Sequence, residues 1–265
     1  MLLAVLAISW GAIPLIVRGE VPWQQLVAAR VWLGALTVVS YLAVRRRLAL
    51  PTTDRWRVVI SGSLLAAHWA SFFLAITETT VAVALAMLYL GPVLASALAP
   101  RLLGETADRR QYGGLAIAVA GVLLVVRPGG EATVLGLAAA IFSGVSLGAL
   151  MLVAKPAVKR LGALTMAASE LSVASVVMAP FAVQAVIESR QFWAELVILG
   201  VFLTGVAAVI YWQAMRHLPV AGVSVLMYLE PASAVVWAML FLSETPDVLA
   251  WVGIGLVLAG GVLSS

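Results

Sequence analysis

Apolar residues run along this chain in blocks long enough to cross a bilayer, separated by short polar or Pro/Gly-rich stretches. The blocks cover about residues 2–17, 22–44, 58–76, 80–99, 111–126, 132–154, 162–184, 194–214, 219–242 and 247–263. A spanning helix needs about 20 mostly apolar residues, so the pattern predicts an all-α membrane protein with ten transmembrane helices. The blocks are apolar on every side rather than along one stripe, as helices in lipid or buried among other helices should be. Their breaks carry charge or helix-breaking residues: Arg18-Gly19-Glu20, Arg45-Arg46-Arg47, Arg127-Pro128-Gly129-Gly130 and Lys155-Pro156. The alternating segments of about ten residues that mark an outer-membrane barrel are not seen.

The blocks also repeat. Placing Tyr228 on Tyr89, 139 residues earlier, sets Leu226-Met227-Tyr228-Leu229 on Met87-Leu88-Tyr89-Leu90. The same offset sets Ser243-Glu244-Thr245 on Gly104-Glu105-Thr106, and Gly253 and Gly260 on Gly114 and Gly121. A match at a fixed period of about half the chain marks a duplication, predicted here as residues 1–130 and 131–265. The twins differ where Gly91 becomes Glu230. Five helices per copy is an odd number, so the copies must be inverted. Lysine and arginine follow suit: Arg45, Arg46, Arg47, Arg55, Arg57, Arg101, Arg109, Arg110, Lys155, Lys159, Arg160 and Arg216 fall in even-numbered loops. Odd-numbered loops hold only Arg18, Arg127 and Arg190, beside Glu78, Glu188 and Asp247. Positive loops stay inside, which predicts both termini in the cytoplasm and a multi-pass protein of the cytoplasmic (inner) membrane. Inverted five-helix repeats recur in secondary transporters, with the solute site near the midplane between copies. A rigid channel or a membrane scaffold is the structural alternative.

Composition narrows the field. The chain is 63% hydrophobic and 11% charged, far from the roughly 25% charged residues of soluble domains. It has no cysteine, which excludes disulfides and thiolate chemistry, and its two histidines, His68 and His217, lie far apart with no second ligand at metal spacing. No metal, cofactor or catalytic group is therefore expected. The net charge of +4 sits in the short loops, where topology explains it without nucleic acid. Met1 leads straight into an apolar run, so no signal peptide is expected, and that run is short before Arg18.

Ionisable groups inside a bilayer cost roughly 2.5–3.5 kcal/mol each, which singles out Arg30, His68, Glu170 and Glu230. Glu230 falls near mid-bilayer beside Pro231, which removes a helical N–H and frees a carbonyl. It reads as a site for a substrate amine or a proton, or else as the ion-pair partner of Arg30. Arg30 suits a substrate carboxylate or Glu230 itself. His68 reads as a proton relay or as a neutral imidazole bonded between helices. Trp10, Trp32, Trp69, Phe72, Tyr89, Tyr211, Trp212, Tyr228 and Trp237 fall inside the blocks and can line a cavity or pack a core. Trp23, Trp56 and Trp193 sit at block ends, as an interfacial belt does. Pro14, Pro92, Pro180 and Pro231 are candidate kinks or hinges. The glycines of the fifth and tenth blocks, Gly113, Gly114, Gly121, Gly253, Gly255, Gly260 and Gly261, permit close helix approach as scaffold or in a homodimer. No Walker sequence or nucleophile elbow is present.

The chain resembles the drug/metabolite transporter superfamily, and within it the EamA-type ten-helix permeases. The resemblance rests on Ser9-Trp10-Gly11, Arg30, Tyr89-Leu90-Gly91-Pro92 with Gly104-Glu105 beyond, Tyr228-Leu229-Glu230-Pro231 with Ser243-Glu244 beyond, and the two glycine-rich closing blocks. It covers essentially the whole chain. It implies a basket of helices around a central cavity, with the fifth and tenth outside it, and transport of small metabolites, often export of amino acids or their relatives. The expectation is a permease that moves a small organic solute outward by alternating access. Its solute site is expected at Trp10, Arg30, His68, Trp69, Tyr89, Tyr228 and Glu230. Uptake or exchange by the same fold, and a non-transporting scaffold or partner subunit, are the alternatives.

Overall fold

The computed structural model describes residues 1–13, 21–48, 50–79, 81–106, 108–126, 132–182, 192–242 and 247–264. Pro14, Arg18, Arg127, Arg190 and Glu244 lie outside these. Every regular element among the described residues is helical. In chain order they are α1 (Leu2–Trp10), α2 (Trp23–Val44), α3 (Arg55–Glu78), α4 (Val81–Leu88), α5 (Leu90–Leu103), α6 (Arg109–Val126), α7 (Val134–Leu161) and α8 (Ala163–Val177). Then come α9 (Trp193–Val197), a π-helical segment (Ile198–Val206), α10 (Ala207–His217), α11 (Val220–Met227), α12 (Leu229–Leu242) and α13 (Val248–Ser264).

Six of the described helical runs are long and apolar enough to cross a membrane, α4–α5, α9–α10 and α11–α12 each counting as one run. Large apolar side chains such as Leu36, Val44, Phe142, Phe202 and Phe241 stand exposed on them. Water would not tolerate so much bare apolar surface, whereas lipid requires it, and helices satisfy their own backbone groups there. The protein is a multi-pass membrane protein.

Two helical runs break in the middle, one at Tyr89 and the other at Tyr228, each three residues before a proline. Pro92 and Pro231 have no N–H to give the carbonyl four residues back, so the helical ladder is interrupted just where the tyrosines stand. A third interruption, at Met178, lies two residues before Pro180. Lys155-Pro156 does not end a helix, contrary to the sequence reading: α7 runs on to Leu161 with Pro156 inside it. Lys155 is thus a helical residue only 1% exposed, not a loop charge. The turn from α7 to α8 is made at Gly162, whose φ of 81° is open to glycine at no steric cost.

Contacts divide the chain into two compact units, Met1–Leu15 with Ser71–Leu152 and Leu218–Ser265, and Ile16–Ala70 with Val153–His217. In the first, α13 lies along α6. A Cβ on Gly121 would stand 2.6 Å from the Gly253 carbonyl oxygen, and one on Gly260 2.5 Å from that of Gly114. The twin glycine-rich helices therefore pack on each other through their small residues. In the second, α2 lies against the π segment, where Gly34 meets Thr204, Gly200 and Gly205.

Candidate functional site

In the first unit the two helix breaks are joined. The Tyr228 hydroxyl donates to the Tyr89 carbonyl oxygen at 3.1 Å, and the rings lie 5.1 Å apart, inclined at 40°. Tyr228 and Tyr89 are both buried. Ser96 Oγ lies 2.7 Å from the Pro92 carbonyl oxygen and 2.9 Å from Ser224 Oγ, which itself lies 3.1 Å from that carbonyl; one hydroxyl donates to the carbonyl and the other to its fellow hydroxyl or to the same oxygen. Side-chain hydroxyls thus bond backbone carbonyls beside the break, as irregular backbone at membrane depth requires of its surroundings.

Glu230 stands in the first turn of α12, half-buried, two residues after Tyr228. Its backbone is pressed against α1: a Cβ on Gly11 would fall 2.6 Å from the Glu230 carbonyl oxygen and 2.2 Å from Ser233 Oγ. Ser233 Oγ donates to the Ile8 carbonyl at 3.1 Å, and Trp237 Nε1 does so at 2.8 Å. The end of α1, carrying Trp10, is thereby fixed beside the turn that carries Glu230. The twin position has no room for a side chain. A Cβ on Gly91 would sit 2.4 Å from the Gly144 carbonyl oxygen of α7, so the duplicated motif holds one carboxylate, not two.

The second unit holds the other sequence-expected residues. Arg30, buried on α2, stacks its guanidinium 3.9 Å from the centre of the Trp69 ring. Its Nε donates to Thr204 Oγ1 at 3.2 Å. Thr204 belongs to the π segment, whose wider turn is a frequent feature of functional sites. His68, next to Trp69 on α3, is buried. The structure thus brings Tyr89, Tyr228, Glu230 and the Trp10 turn together in one unit, and Arg30 with Trp69 in the other, where His68 precedes Trp69 on α3. Trp32 lies inside its block, on α2, but is 46% exposed and so does not pack a core.

Sequence reasoning missed several polar residues that fix these groups and Glu170: Ser61, Ser96, Thr204 and Ser224. Ser61 Oγ donates to Glu170 Oε1, and Trp212 Nε1 donates to Glu170 Oε2 at 2.7 Å. The one available signal was a small polar residue within an apolar helix, which is too common to select a site. Chemically, the first cluster offers a carboxylate and a phenol beside aromatic faces, a combination suited to an ammonium group. The second offers a guanidinium held rigid by stacking, suited to an anion.

The sequence profile of the EamA-like transporter family matches this chain twice, over residues 1–127 and 134–265. A pseudopaline exporter of Pseudomonas aeruginosa is 27% identical over 249 residues, covering 91% of this chain and 83% of that protein. A probable terminal-alkyne amino-acid exporter of Streptantibioticus cattleyicolor is 30% identical over 190 residues, 67% of this chain and 61% of that one. An uncharacterized transporter of Archaeoglobus fulgidus is 27% identical over 195 residues, 74% of this chain and 71% of its own. A solved crystal structure superposes with a TM-score of 0.83 at 19% identity, over 99% of this chain and 97% of that one, and shows the same fold.

Proposed function

We propose, from the premise that this chain belongs to the EamA-like transporter family, that it exports a small amphipathic metabolite of the amino-acid type across the cytoplasmic membrane. It is a membrane transporter; solute, direction and mechanism are the proposal. The observation that carries the solute class is Glu230 in the helical turn after Tyr228, which is paired with Tyr89 where two helices break. Glu230 binds the solute's ammonium group, and the tyrosines and Trp10 receive its apolar part; in the other unit Arg30, held by Trp69 and Thr204, is a separate candidate for an anionic group. Export is favoured because two relatives are named exporters, one of them of an amino acid.

The proposed architecture is ten crossings in two inverted repeats, residues 1–130 and 131–265, with both termini cytoplasmic. Three contacts support it, because each joins loops of the same parity in that topology. Asp54 pairs with Arg160, linking the second loop to the sixth. Glu105 accepts from the Val220 N–H, linking the fourth to the eighth. Thr133 bonds to Glu78, linking the fifth to the third. Inverted copies can exchange conformations and so open to either side at similar energy, the basis of alternating access.

The test is Glu230→Gln in liposomes loaded with a radiolabelled amino-acid mixture. Gln keeps the shape and loses the charge, so release of ammonium-bearing solutes should fall at least tenfold while the protein melts as the wild type does. Release at the wild-type rate would remove Glu230 from the solute site.

A further inference from the structure

Glu170, in the middle of α8, is a carboxylate that solute binding does not use. It is 2% exposed, and its two partners are equally sealed, Ser61 at 0% and Trp212 at 1%. They come from three different helices, α3, α8 and α10. Both partners are neutral donors, and no ion pair to Glu170 occurs among the described residues. A buried carboxylate ordinarily sits against a cation, since desolvating an unpaired charge is expensive. An intramembrane carboxylate without one calls for a functional account.

The two partners differ in what they can do. An indole N–H only donates, whereas a serine hydroxyl donates or accepts. With Glu170 ionised, Ser61 and Trp212 each donate to one of its oxygens. With a proton on Oε1, that new O–H donates to Ser61 Oγ, the serine hydroxyl turns away, and Trp212 still donates to Oε2. In both states each Glu170 oxygen keeps its partner without a heavy atom moving, so the carboxyl can hold or release a proton at low reorganisation cost. Gly62 brings α3 close enough for this: a Cβ there would lie 2.6 Å from the Glu170 carbonyl oxygen.

We propose that Glu170 is the proton-binding group through which this transporter draws on a proton gradient, an inference that rests on the transport reading above. The proton passes from water on one side to a Glu170 oxygen and, after the change of access, from that oxygen to water on the other; nothing else is consumed. In the conformation described the group is shut off from solvent, as a coupling site must be in an occluded state. The buried ionisable groups on the surrounding helices are His68, two turns along α3 from Ser61 on the same face, Arg30 on α2, Tyr211 on α10 and Lys155 near the end of α7. Tyr211 stands edge-on to Trp212, with the ring centres 4.9 Å apart.

The experiment uses the full chain, wild type and Glu170→Gln, in liposomes loaded with the radiolabelled amino-acid mixture, with and without an opposing proton gradient. Gln keeps an acceptor for Trp212 and an amide donor for Ser61. The result expected is that the gradient accelerates wild-type release several-fold and E170Q release not at all, while E170Q still exchanges labelled for unlabelled solute. Infrared difference spectra across a pH titration, which need no solute, should show a protonated-carboxyl band in the wild type that E170Q lacks. Gradient-driven release by E170Q equal to wild type, or identical infrared spectra, would overturn the assignment. A wild type that releases nothing would count against the transport reading, and the infrared comparison would still decide whether Glu170 takes up a proton.

Discussion

Gly62→Ala tests the packing that sets the Glu170 cluster. An alanine Cβ at 62 would stand 2.5 Å from Val173 Cβ and 2.6 Å from the Glu170 carbonyl oxygen. That is about 1 Å inside ordinary carbon contact. Neither neighbour is the free end of a flexible chain; one is a branched Cβ and the other is backbone. Helix α3 must therefore withdraw from α8, and overpacking of this kind costs about 1–3 kcal/mol. At roughly 2–4 °C per kcal/mol for a chain of this size, the melting temperature should fall by about 2–12 °C. The same substitution at Gly255, which has no atom within 4 Å of its added Cβ, supplies the control. There alanine relieves the entropic cost of a helical glycine and should be neutral or stabilising by up to about 1 kcal/mol. With no cysteine for a thiol dye, the nine tryptophans provide the signal, followed by intrinsic fluorescence on heating in detergent. Gly62→Ala melting at or above the wild type, or Gly255→Ala falling by as much, would refute the packing argument.

Further expectations concern the loop contacts. Glu105→Ala leaves the buried Val220 N–H, now bonded at 2.7 Å, without its carboxylate, and should cost about 1 kcal/mol in thermal unfolding; Glu105→Gln, which keeps an acceptor, should recover most of it. Asp54, outside the spans, is held below the usual carboxylate range by its hydrogen bond from Arg160 and by Arg57. Its folded form thus adds stability above its unfolded value near pH 4 that is lost as pH falls through the lower folded value. Asp54→Asn should therefore melt lower than wild type near neutral pH, with the gap closing on acidification below about pH 4; a gap that stays constant with pH would contradict the ion pair.

The membrane class and helical content were legible because hydropathy reports burial in lipid directly, and the described helices fall on the apolar blocks. The twin breaks were legible as Tyr89 with Pro92 and Tyr228 with Pro231, since proline acts locally. The end of α7 was not. A lysine next to a proline resembles a loop, yet Lys155 is buried inside a helix that absorbs Pro156, a choice made by neighbours distant in sequence. The partners of Arg30 and Glu170 were equally hidden. Thr204 lies 174 residues from Arg30 and Ser61 109 from Glu170, and no spacing rule links residues on different helices. The empty twin of Glu230 has the same kind of cause, because Gly91 is set by the backbone of Gly144, which only the packed structure brings near.

The most direct test of the central claim is release of radiolabelled amino acids and amphipathic amines from liposomes holding the purified protein, with each unlabelled compound as competitor. The result expected is saturable release of compounds bearing an ammonium group, competed by their analogues and abolished by Glu230→Gln. Release that rises linearly with concentration, ignores competitors and matches protein-free liposomes would contradict a permease built around Glu230.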